Sequence, residues 1–252
     1  MTAAKVPENM RIDIIPSGPI KVSGGVPLFI MSIVRNELQE AVAWKEVELL
    51  TQKDLYMLCR CGHSSNKPFC DGSHAATQFD GTETATKEPF EAGAQQIRGE
   101  NFTLHDNEKF CIGAEFCDRL GGVWNLVQMT EENCGLPNLE EAKTVTENAH
   151  KIAIEQACNC PSGRLVMHRR VDEQDEIIEA EFDQPSIALI QDSVFQTSSA
   201  IWVRGGIPIY DANGEPYEVR NRVTLCRCGA STNKPFCNGA HYSVNFDDGL
   251  QS

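Results

Sequence analysis

The segment from Leu58 to His74 returns almost unchanged from Leu225 to His241. Each copy places three cysteines and one histidine at the same offsets, C-x-C, then C-x8-C, then C-x3-H. Three soft thiolates and one imidazole form a complete ligand set for a transition metal or an iron–sulfur cluster. The repeat therefore predicts two equivalent metal centres in one chain.

The spacing within each copy leaves two kinds of centre open. Zinc binds Cys3His sets in structural sites, but its first pair of ligands is usually about two to four residues apart. Here a single residue separates Cys59 from Cys61, and in extended backbone alternate side chains point to the same face. Cys70 and His74 are four apart, which on a helical turn places both on one face. Two adjacent pairs favour a two-iron cluster, with a single zinc ion as the alternative.

Both copies resemble the CDGSH iron–sulfur (mitoNEET-like) family, whose pattern is C-x-C-x2-[ST]-x3-P-x-C-[DN]-G-[STA]-H. Ser64 and Pro68 fill the serine and proline positions of the first copy, and Ser231 and Pro235 fill those of the second. The resemblance implies two 2Fe-2S clusters, each held by three cysteines and one histidine. The implied ligands are Cys59, Cys61, Cys70 and His74 for the first cluster, and Cys226, Cys228, Cys237 and His241 for the second.

Four other motif residues are candidates for tuning the two centres. Asp71 of the first copy is replaced by Asn238 in the second. A carboxylate disfavours the addition of an electron nearby, so we expect the first centre to have the lower potential if burial is equal in both copies. Lys67 and Lys234 precede the motif prolines. Each is either a solvated surface lysine or a positive charge beside a negative cluster.

The repeat extends beyond the ligands, which constrains the fold. Val22–Leu28 parallels Val203–Ile209, and Phe79 and Phe246 each follow a ligand histidine by five residues. Internal repetition indicates that one chain supplies both halves of a pair. The family resemblance implies an α+β protein in which a pseudo-symmetric pair of CDGSH modules forms a small β-sandwich, with both centres near one end.

We predict three units along the chain. Residues 1–92 form the first CDGSH half, 93–183 an inserted domain, and 184–252 the second half. The first half is longer before its motif. Apolar and polar residues alternate there across Gln39–Gln52, which indicates an additional strand.

The inserted residues carry five further cysteines: Cys111, Cys117, Cys134, Cys158 and Cys160. Bacterial-type ferredoxins space their cysteines at two-residue intervals and end the run in Cys-Pro. Here Cys160 precedes Pro161, while Ala114 occupies the middle position between Cys111 and Cys117. Three thiolates would suffice for a 3Fe-4S cluster, and a 4Fe-4S cluster would need a fourth ligand.

This insert resembles a divergent single-cluster ferredoxin domain. The matching pieces are the strand around Ile97–His105, the Cys111–Cys117 turn, the helix around Val145–Gln156, and Cys160–Gly163 leading into Leu165–His168. The resemblance implies a third cluster on Cys111, Cys117 and Cys160, and the alternative is a cluster-free scaffold.

The remaining candidate ligands of the insert have no motif position. Cys134 and Cys158 are interpreted as small buried hydrophobes, with Cys158 the better alternative ligand because it lies two residues from Cys160. His105, His150 and His168 have no ligand constellation in the sequence.

Charge and hydropathy limit the function. The formal net charge is −14, which disfavours nucleic acids and anionic membranes as partners. Seven acidic residues lie within Asp172–Asp183, a run that we interpret as a solvated connector. No apolar run is long enough for a membrane span. We therefore expect a soluble, bacterial cytoplasmic protein.

The function that these features favour is electron transfer. The expected form is a monomer containing an internal pseudo-dimer, and the expected partner is a redox or cluster-acceptor protein with a basic face. Redox-gated storage and transfer of clusters is the first alternative, and a structural metalloprotein scaffold is the second. An enzyme is disfavoured because no substrate-pocket residues can be named.

Overall fold

The computed structural model describes residues 6–171 and 174–250. The fold is mixed α/β, with several sheets and few helices. The thirteen described strands are β1 (Arg11–Ile14), β2 (Ile20–Ser23), β3 (Leu28–Arg35), β4 (Ala41–Thr51), β5 (Leu55–Leu58), β6 (Gln95–Arg98), β7 (Phe102–Asp106), β8 (Leu165–Val171), β9 (Gln174–Ile178), β10 (Ser186–Asp192), β11 (Thr197–Arg204), β12 (Ile209–Tyr210) and β13 (Arg222–Leu225). The described α-helices are α1 (Ser73–Ala76), α2 (Val123–Val127), α3 (Leu139–Asn159) and α4 (Ala240–Ser243), and 3₁₀ turns occupy Phe90–Gly93, Glu108–Phe110 and Arg119–Gly121.

Two of the sheets are built from both ends of the chain. The first has the order β12-β1-β2-β5, and the second has the order β13-β11-β10-β3-β4. In each sheet one strand from the first repeat pairs in parallel with one from the second: β1 with β12, and β3 with β10. Neither repeat therefore completes a sheet without strands of the other.

One apolar core lies between these two sheets. Ile12 and Val22 of the first sheet and Ile187 and Ile201 of the second belong to the same buried cluster. The alternating burial of β1 and β2 gives each strand one apolar face that must be covered. Leu58 and Leu225, the residues before the two motifs, are also fully buried in this core. Both motifs therefore begin at its edge.

The third sheet is antiparallel, with the order β6-β7-β8-β9, and α3 packs against it. Asn138 caps α3 by accepting hydrogen bonds from the backbone N–H groups of Glu140 and Glu141, and carboxylates in the first turn suit the positive end of a helix. Buried residues of α3 include Ala149, Ala153 and Ala157. Their short side chains let the helix approach the sheet closely. The helix ends immediately before Cys160, and Pro161 follows.

Several local predictions can be compared with these elements. The strand predicted across Gln39–Gln52 is confirmed as β4. The helix predicted over Val145–Gln156 is confirmed and longer, as α3. The single strand predicted over Ile97–His105 is wrong, because β6 and β7 form a hairpin.

The acidic run Asp172–Asp183, interpreted as a solvated connector, contains a strand. Its residues Gln174–Ile178 form β9 and pair with β8, whereas Asp172 and Glu173 lie outside the described residues. The division of the chain into units 1–92, 93–183 and 184–252 stays a prediction. Within the described part of the chain, no helix has the length and apolar character needed to cross a membrane.

Candidate metal centres

The first ligand set consists of two close pairs. The Sγ atoms of Cys59 and Cys61, which directly follow β5, lie 3.7 Å apart. Cys70 Sγ lies 3.4 Å from His74 Nδ1. The expected helical turn holding Cys70 and His74 is wrong in detail, since Gly72 has a left-handed conformation and α1 begins only at Ser73. The tight turn at Gly72 nevertheless brings the thiol and the imidazole together.

The second ligand set repeats this geometry. Cys226 Sγ lies 3.7 Å from Cys228 Sγ, and Cys237 Sγ lies 3.5 Å from His241 Nδ1. Gly239 precedes α4 in the same left-handed conformation as Gly72.

The serine and proline of the motif have a structural role that is the same in both copies. Ser64 Oγ donates to Phe69 O at 2.6 Å, and Ser231 Oγ donates to Phe236 O at 2.7 Å. The carbonyls of Pro68 and Pro235 accept hydrogen bonds from the first cysteine of each set, both at 2.8 Å. These bonds close the loop between the two ligand pairs and fix the separation of the pairs.

The donor spacing bears on the choice between one ion and a cluster. Four donors around one zinc ion, with Zn–S near 2.3 Å and Zn–N near 2.0 Å, lie roughly 3.3–3.8 Å from one another. Within residues 6–171 and 174–250, the only group of three candidate ligand atoms that all lie within 4.8 Å of one another contains none of these cysteines. Each CDGSH-type set is therefore arranged as two separated pairs rather than as one tetrahedron.

The two ligand loops also contact each other reciprocally. A Cβ atom on Gly62 would lie 2.7 Å from the carbonyl oxygen of Cys228, and one on Gly229 would lie 2.6 Å from that of Cys61. Real Cβ contacts are longer, so only glycine permits this approach. The two loops therefore meet backbone to backbone beside their second cysteines.

A third candidate site lies in the insert. Cys111, Cys117 and Cys160 line one pocket, together with Arg164. Burial, and then the neighbouring Asp118, raise the pKa of Cys117 above its ordinary range. Ala114 also lines the pocket and offers no ligand atom, as expected. Cys134 and Cys158 are not among the lining residues.

Comparison with family models agrees with this arrangement. The model described as iron-binding zinc finger, CDGSH type, matches residues 17–75 and 199–242. Two regions of the chain are therefore similar to the CDGSH family. A second model, a divergent 4Fe-4S mono-cluster domain, matches residues 97–170 between the two CDGSH regions. The protein is therefore an iron–sulfur binding protein with two CDGSH regions and a ferredoxin-like cluster domain. The searches of curated proteins and of solved structures found no match.

The thiols of the CDGSH sets fit a cationic group. Burial raises the pKa of Cys61 to about 11 and that of Cys237 to about 12, whereas the contact with Cys228 lowers that of Cys226 to about 6. Thiols with raised values stay protonated near neutral pH unless a bound cation stabilises the thiolate. The iron of a cluster supplies that charge, so the donor chemistry of both CDGSH sets fits the group that the family implies.

The arginine between the first two cysteines of each set is a candidate site residue that the ligand spacing did not indicate. Arg60 is buried and donates to the carbonyls of Gly18, Gly81 and Ile15. It also lies over the ring of Phe79, the phenylalanine that follows the ligand histidine. A buried guanidinium thus stands behind the first ligand loop. The repeated Cys-Arg-Cys was the signal that could have identified it.

Arg227 occupies the equivalent position in the second module, but its partners differ. It lies over the Phe246 ring and donates to the carbonyls of Ser199 and Ile190. It also forms a buried ion pair with Asp248. The positive charge behind the second loop is therefore neutralised, whereas the hydrogen bonds of Arg60 all go to carbonyls.

The two ligand histidines differ strongly in exposure. His74 is half-buried, whereas His241 is 1% exposed. The Nε2 atom of His241 lies 3.0 Å from Ser199 Oγ. Burial, and then the Arg227 charge, lower the pKa of His241 to about 4. The second histidine is therefore held neutral, in its ligating form, by its surroundings.

The four candidate tuning residues lie at the surface of the loops. Asp71 is exposed and accepts hydrogen bonds from Ser65 and Ser73, and those bonds lower its pKa below the ordinary range. Asn238 donates to Thr232 Oγ1 and accepts from the Ala240 N–H. Lys234 donates to Ser231 O, and both Lys234 and Lys67 are half-buried.

The second CDGSH loop directly adjoins the insert pocket. Cys237 shares a buried apolar cluster with Ile112, Ala114 and Phe116 of the Cys111–Cys117 turn. A Cβ on Gly239 would lie 3.6 Å from Cys111 O, an ordinary van der Waals distance. The ring of Trp44 stacks on Phe116 at 4.7 Å and holds the same turn against the second sheet.

The histidines of the insert correct another prediction. His105 and His168 were expected to have no constellation, but they lie together with Glu91. His150 is apart from them, with Nε2 2.9 Å from the carbonyl oxygen of Met129. The three residues lie far apart in the sequence, on three different elements, so residue spacing did not indicate this group.

Proposed function

We propose that this chain is an electron-transfer protein. In this proposal Cys59, Cys61, Cys70 and His74 hold one 2Fe-2S cluster, and Cys226, Cys228, Cys237 and His241 hold the other. Cys111, Cys117 and Cys160 hold a third cluster of 3Fe-4S or 4Fe-4S type. Such clusters supply one-electron redox chemistry over a wide range of potentials.

The observation that carries the proposal is the serial contact of the three ligand loops. The first loop touches the second through the Gly62–Cys228 and Gly229–Cys61 approaches. The second loop touches the third through Cys237 and the Cys111–Cys117 turn. Close backbone contact forms the first junction, and buried side chains form the second. Contiguous loops keep redox sites at a fixed separation, which is what a protein built for electron transfer requires.

The proposed 2Fe-2S type rests on the pairing of the ligands. Each CDGSH set offers a Cys–Cys pair and a Cys–His pair. Two irons that share two sulfides need two such pairs. The mixed pair places its imidazole on one iron, an arrangement known to raise the potential relative to four cysteines.

We also propose that the two CDGSH modules form a pseudo-symmetric pair on a small β-sandwich, as the resemblance implied. Support comes from the matching loop hydrogen bonds at Ser64 and Ser231. The parallel β1–β12 and β3–β10 pairings and the reciprocal glycine contacts support the same arrangement. In this arrangement one chain supplies what a dimer of single modules would supply.

One observation favours redox-gated cluster transfer as a second candidate function. His74 is half-exposed while His241 is buried. A partly exposed imidazole is the ligand that an acceptor protein can reach and displace. Any transfer would therefore concern the first module, with the second module and the insert retaining their groups.

The proposed partner is a protein with a basic face, since the chain carries a net charge of −14. Complementary charge accelerates association and aligns the two proteins. Its docking point would be the exposed Cys70–His74 end of the first module. This attraction should weaken as salt is added.

The test uses anaerobically purified protein that carries its clusters. Iron and sulfide are quantified, and the sample is cycled between dithionite and a mild oxidant under EPR and visible spectroscopy. Electron transfer requires reversible reduction with all iron retained. Loss of iron to an apo-ferredoxin from the oxidised sample would instead establish cluster transfer. Clusters that neither reduce reversibly nor leave the protein would show a structural scaffold.

A further inference from the structure

Three side chains with metal-binding atoms, none of them a cysteine, meet beside the third sheet. They are Glu91, His105 and His168, and one ligand atom from each lies within 4.8 Å of the other two. His105 Nδ1 lies 2.7 Å from Glu91 Oε2, and His168 Nε2 lies 3.9 Å from Glu91 Oε1. The two imidazole rings stack at 3.8 Å with nearly parallel planes.

The fold fixes this meeting point. His168 of β8 pairs with Thr103 of β7, so it is the diagonal neighbour of His105 on the same face of the sheet. Glu91 approaches from the 3₁₀ turn Phe90–Gly93. Asn107 Nδ2 donates to Phe90 O at 2.9 Å and anchors that turn beside the sheet.

One ring nitrogen of the group has no hydrogen-bond partner within the protein. His168 Nε2 is buried and has no hydrogen-bond partner. The His168 side chain as a whole is only 10% exposed. Buried polar atoms without partners are uncommon and costly. This nitrogen faces the Glu91 carboxylate, where a cation bound by that carboxylate would satisfy it.

The surroundings favour a neutral ligand and a positive guest. Burial, and then His105, lower the pKa of His168, while the carboxylates of Glu91, Asp175 and Glu179 act on it in the opposite direction. Neutral imidazole is the form that binds metals. The same carboxylates supply negative potential for a divalent cation.

We propose that Glu91, His105 and His168 form a mononuclear site for a divalent metal of the zinc type. Two imidazoles and one carboxylate are a known three-residue set for such ions, with a fourth position left open. That open position faces solvent on the side of Glu91, whose side chain is 51% exposed. The site holds no sulfur ligand, so it is chemically separate from the three cluster sites.

Binding requires a rearrangement of the group, in which the 2.7 Å His105–Glu91 separation lengthens and the 3.9 Å His168–Glu91 separation shortens. Tetrahedral donors about 2.0–2.1 Å from zinc lie roughly 3.4 Å apart. The β7–β8 pairing fixes the backbones of the two histidines, but their stacked, nearly parallel rings must turn about the side-chain torsions so that His105 Nδ1 and His168 Nε2 point at one ion. The exposed Glu91 side chain can rotate with them. A bound ion would then tie the Phe90–Gly93 turn to the third sheet, stabilising the junction between the first CDGSH region and the insert.

The alternative is a plain Glu91–His105 ion pair with His168 stacked on it. An ion pair requires a protonated His105, binds no metal, and leaves His168 Nε2 unsatisfied. The two arrangements therefore differ in a quantity that can be counted, which is zinc per chain.

The experiment uses the full chain with its clusters intact. Anaerobic protein is equilibrated with micromolar Zn²⁺, and zinc and iron are counted together by mass spectrometry. We expect one zinc per chain with no loss of iron. X-ray absorption at the zinc edge should show only nitrogen and oxygen ligands. Zinc bound through sulfur, or gained in proportion to iron lost, would overturn the proposal, because the ion would then occupy cysteine sites.

Two variants complete the test. Glu91→Gln removes the charged ligand from an exposed position and should weaken zinc binding at least about tenfold. Glu88→Gln changes an exposed carboxylate three residues earlier and should bind zinc like the wild type. Equal affinity in the two variants would show that Glu91 is not a ligand. Because zinc is counted independently of cluster reduction, failure here leaves the proposed electron transfer untouched, and the reverse also holds.

Discussion

Tyr242 donates its phenolic hydrogen to the carbonyl of Gly113 at 3.0 Å. Tyr242 directly follows the ligand His241, and their ring centroids lie 4.4 Å apart. Gly113 lies within the Cys111–Cys117 turn of the insert. One side chain thus contacts a ligand of the second CDGSH set and the backbone of the third ligand loop. The insert is held directly on the second module by this bond.

Tyr242→Phe removes this bond and leaves the ring. The lone carbonyl of Gly113 can still meet water, so we expect the free energy of unfolding to fall by about 1 kcal/mol. Iron content should stay unchanged because the aromatic contact with His241 remains. Chemical denaturation of the anaerobic protein measures the change. Tyr210→Phe is the matched control, and an equal loss in both variants would show that the bond to Gly113 has no special weight.

The two CDGSH centres should differ in acid stability. The pKa of His241 is lowered to about 4 by burial and by Arg227, so this imidazole stays neutral, and able to ligate, until the pH falls towards that value. His74 is half-exposed to solvent protons. We therefore expect visible absorbance to decay in two steps as the pH falls, with the first module decaying at the higher pH.

Assignment of the two steps needs a ligand variant. His74→Cys replaces the imidazole ligand, which can accept a proton, with a thiolate. Only the absorbance decay at the higher pH should then change, and it should occur at a lower pH than in the wild type. His63→Ala alters an exposed residue of the same loop to the residue found in the second copy and should leave both steps in place. A shift of the lower step in His74→Cys would contradict the assignment.

We expect the buried Arg227–Asp248 ion pair to contribute strongly to the free energy of unfolding. This contribution should depend on pH. Asp248→Asn leaves Arg227 with an uncompensated buried charge, which typically costs about 3–5 kcal/mol. Arg227 and hydrogen bonds lower the pKa of Asp248, against the effect of burial. A lowered folded-state pKa means that this stabilisation is present above the unfolded value near ~3.9 and is lost as the pH falls through the folded value.

The difference in unfolding free energy between wild type and Asp248→Asn should therefore reach its maximum at about pH 6 to 7. This range lies above the pKa of Asp248 in both the folded and the unfolded state. The difference should shrink below about pH 4. Asp247→Asn, at the exposed neighbouring position, is the control. A difference that stayed constant down to acid pH would show that the Asp248 charge is not what stabilises the fold.

The same arginines change the expected order of reduction potentials. The carboxylate of Asp71 led us to expect a lower potential for the first centre if both centres were equally buried. The surroundings of the two centres are not equally buried. Asp71 is exposed, so solvent screens its charge. The hydrogen bonds of Arg60 all go to carbonyls, and the Glu83 carboxylate acts on it without a direct bond, whereas Arg227 forms a direct buried ion pair with Asp248. We now expect the first centre to have the higher potential.

A redox titration of three proteins tests this order. Asp248→Asn unmasks the Arg227 charge and should raise the potential of the second centre, narrowing the gap. Asp71→Asn should move the first centre less than Asp248→Asn moves the second. A larger shift from Asp71→Asn would restore the interpretation based on the motif alone.

The contrast between these two sets of residues shows what sequence could reveal. The ligand loops were predictable because their chemistry is local: Ser64, Pro68 and their counterparts form hydrogen bonds within their own loops. Arg60 is part of the repeat but has no ligand atom, so the ligand pattern does not indicate a role for it. Asp248 has no counterpart in the first copy. Glu91, His105 and His168 meet only through strand pairing, which residue spacing does not encode.

The third centre is the sharpest remaining prediction. Two 2Fe-2S clusters contribute about four irons, so the chain should hold about seven with a 3Fe-4S centre and about eight with a 4Fe-4S centre. Cys117→Ala removes one of the three thiols in the insert pocket, so it should lose about three or four irons and keep both CDGSH clusters. Cys134→Ala is the matched control, since Cys134 does not line that pocket. EPR and iron analysis of the anaerobic proteins measure both effects. About four irons in the wild type, unchanged in Cys117→Ala, would show the insert to be a cluster-free scaffold.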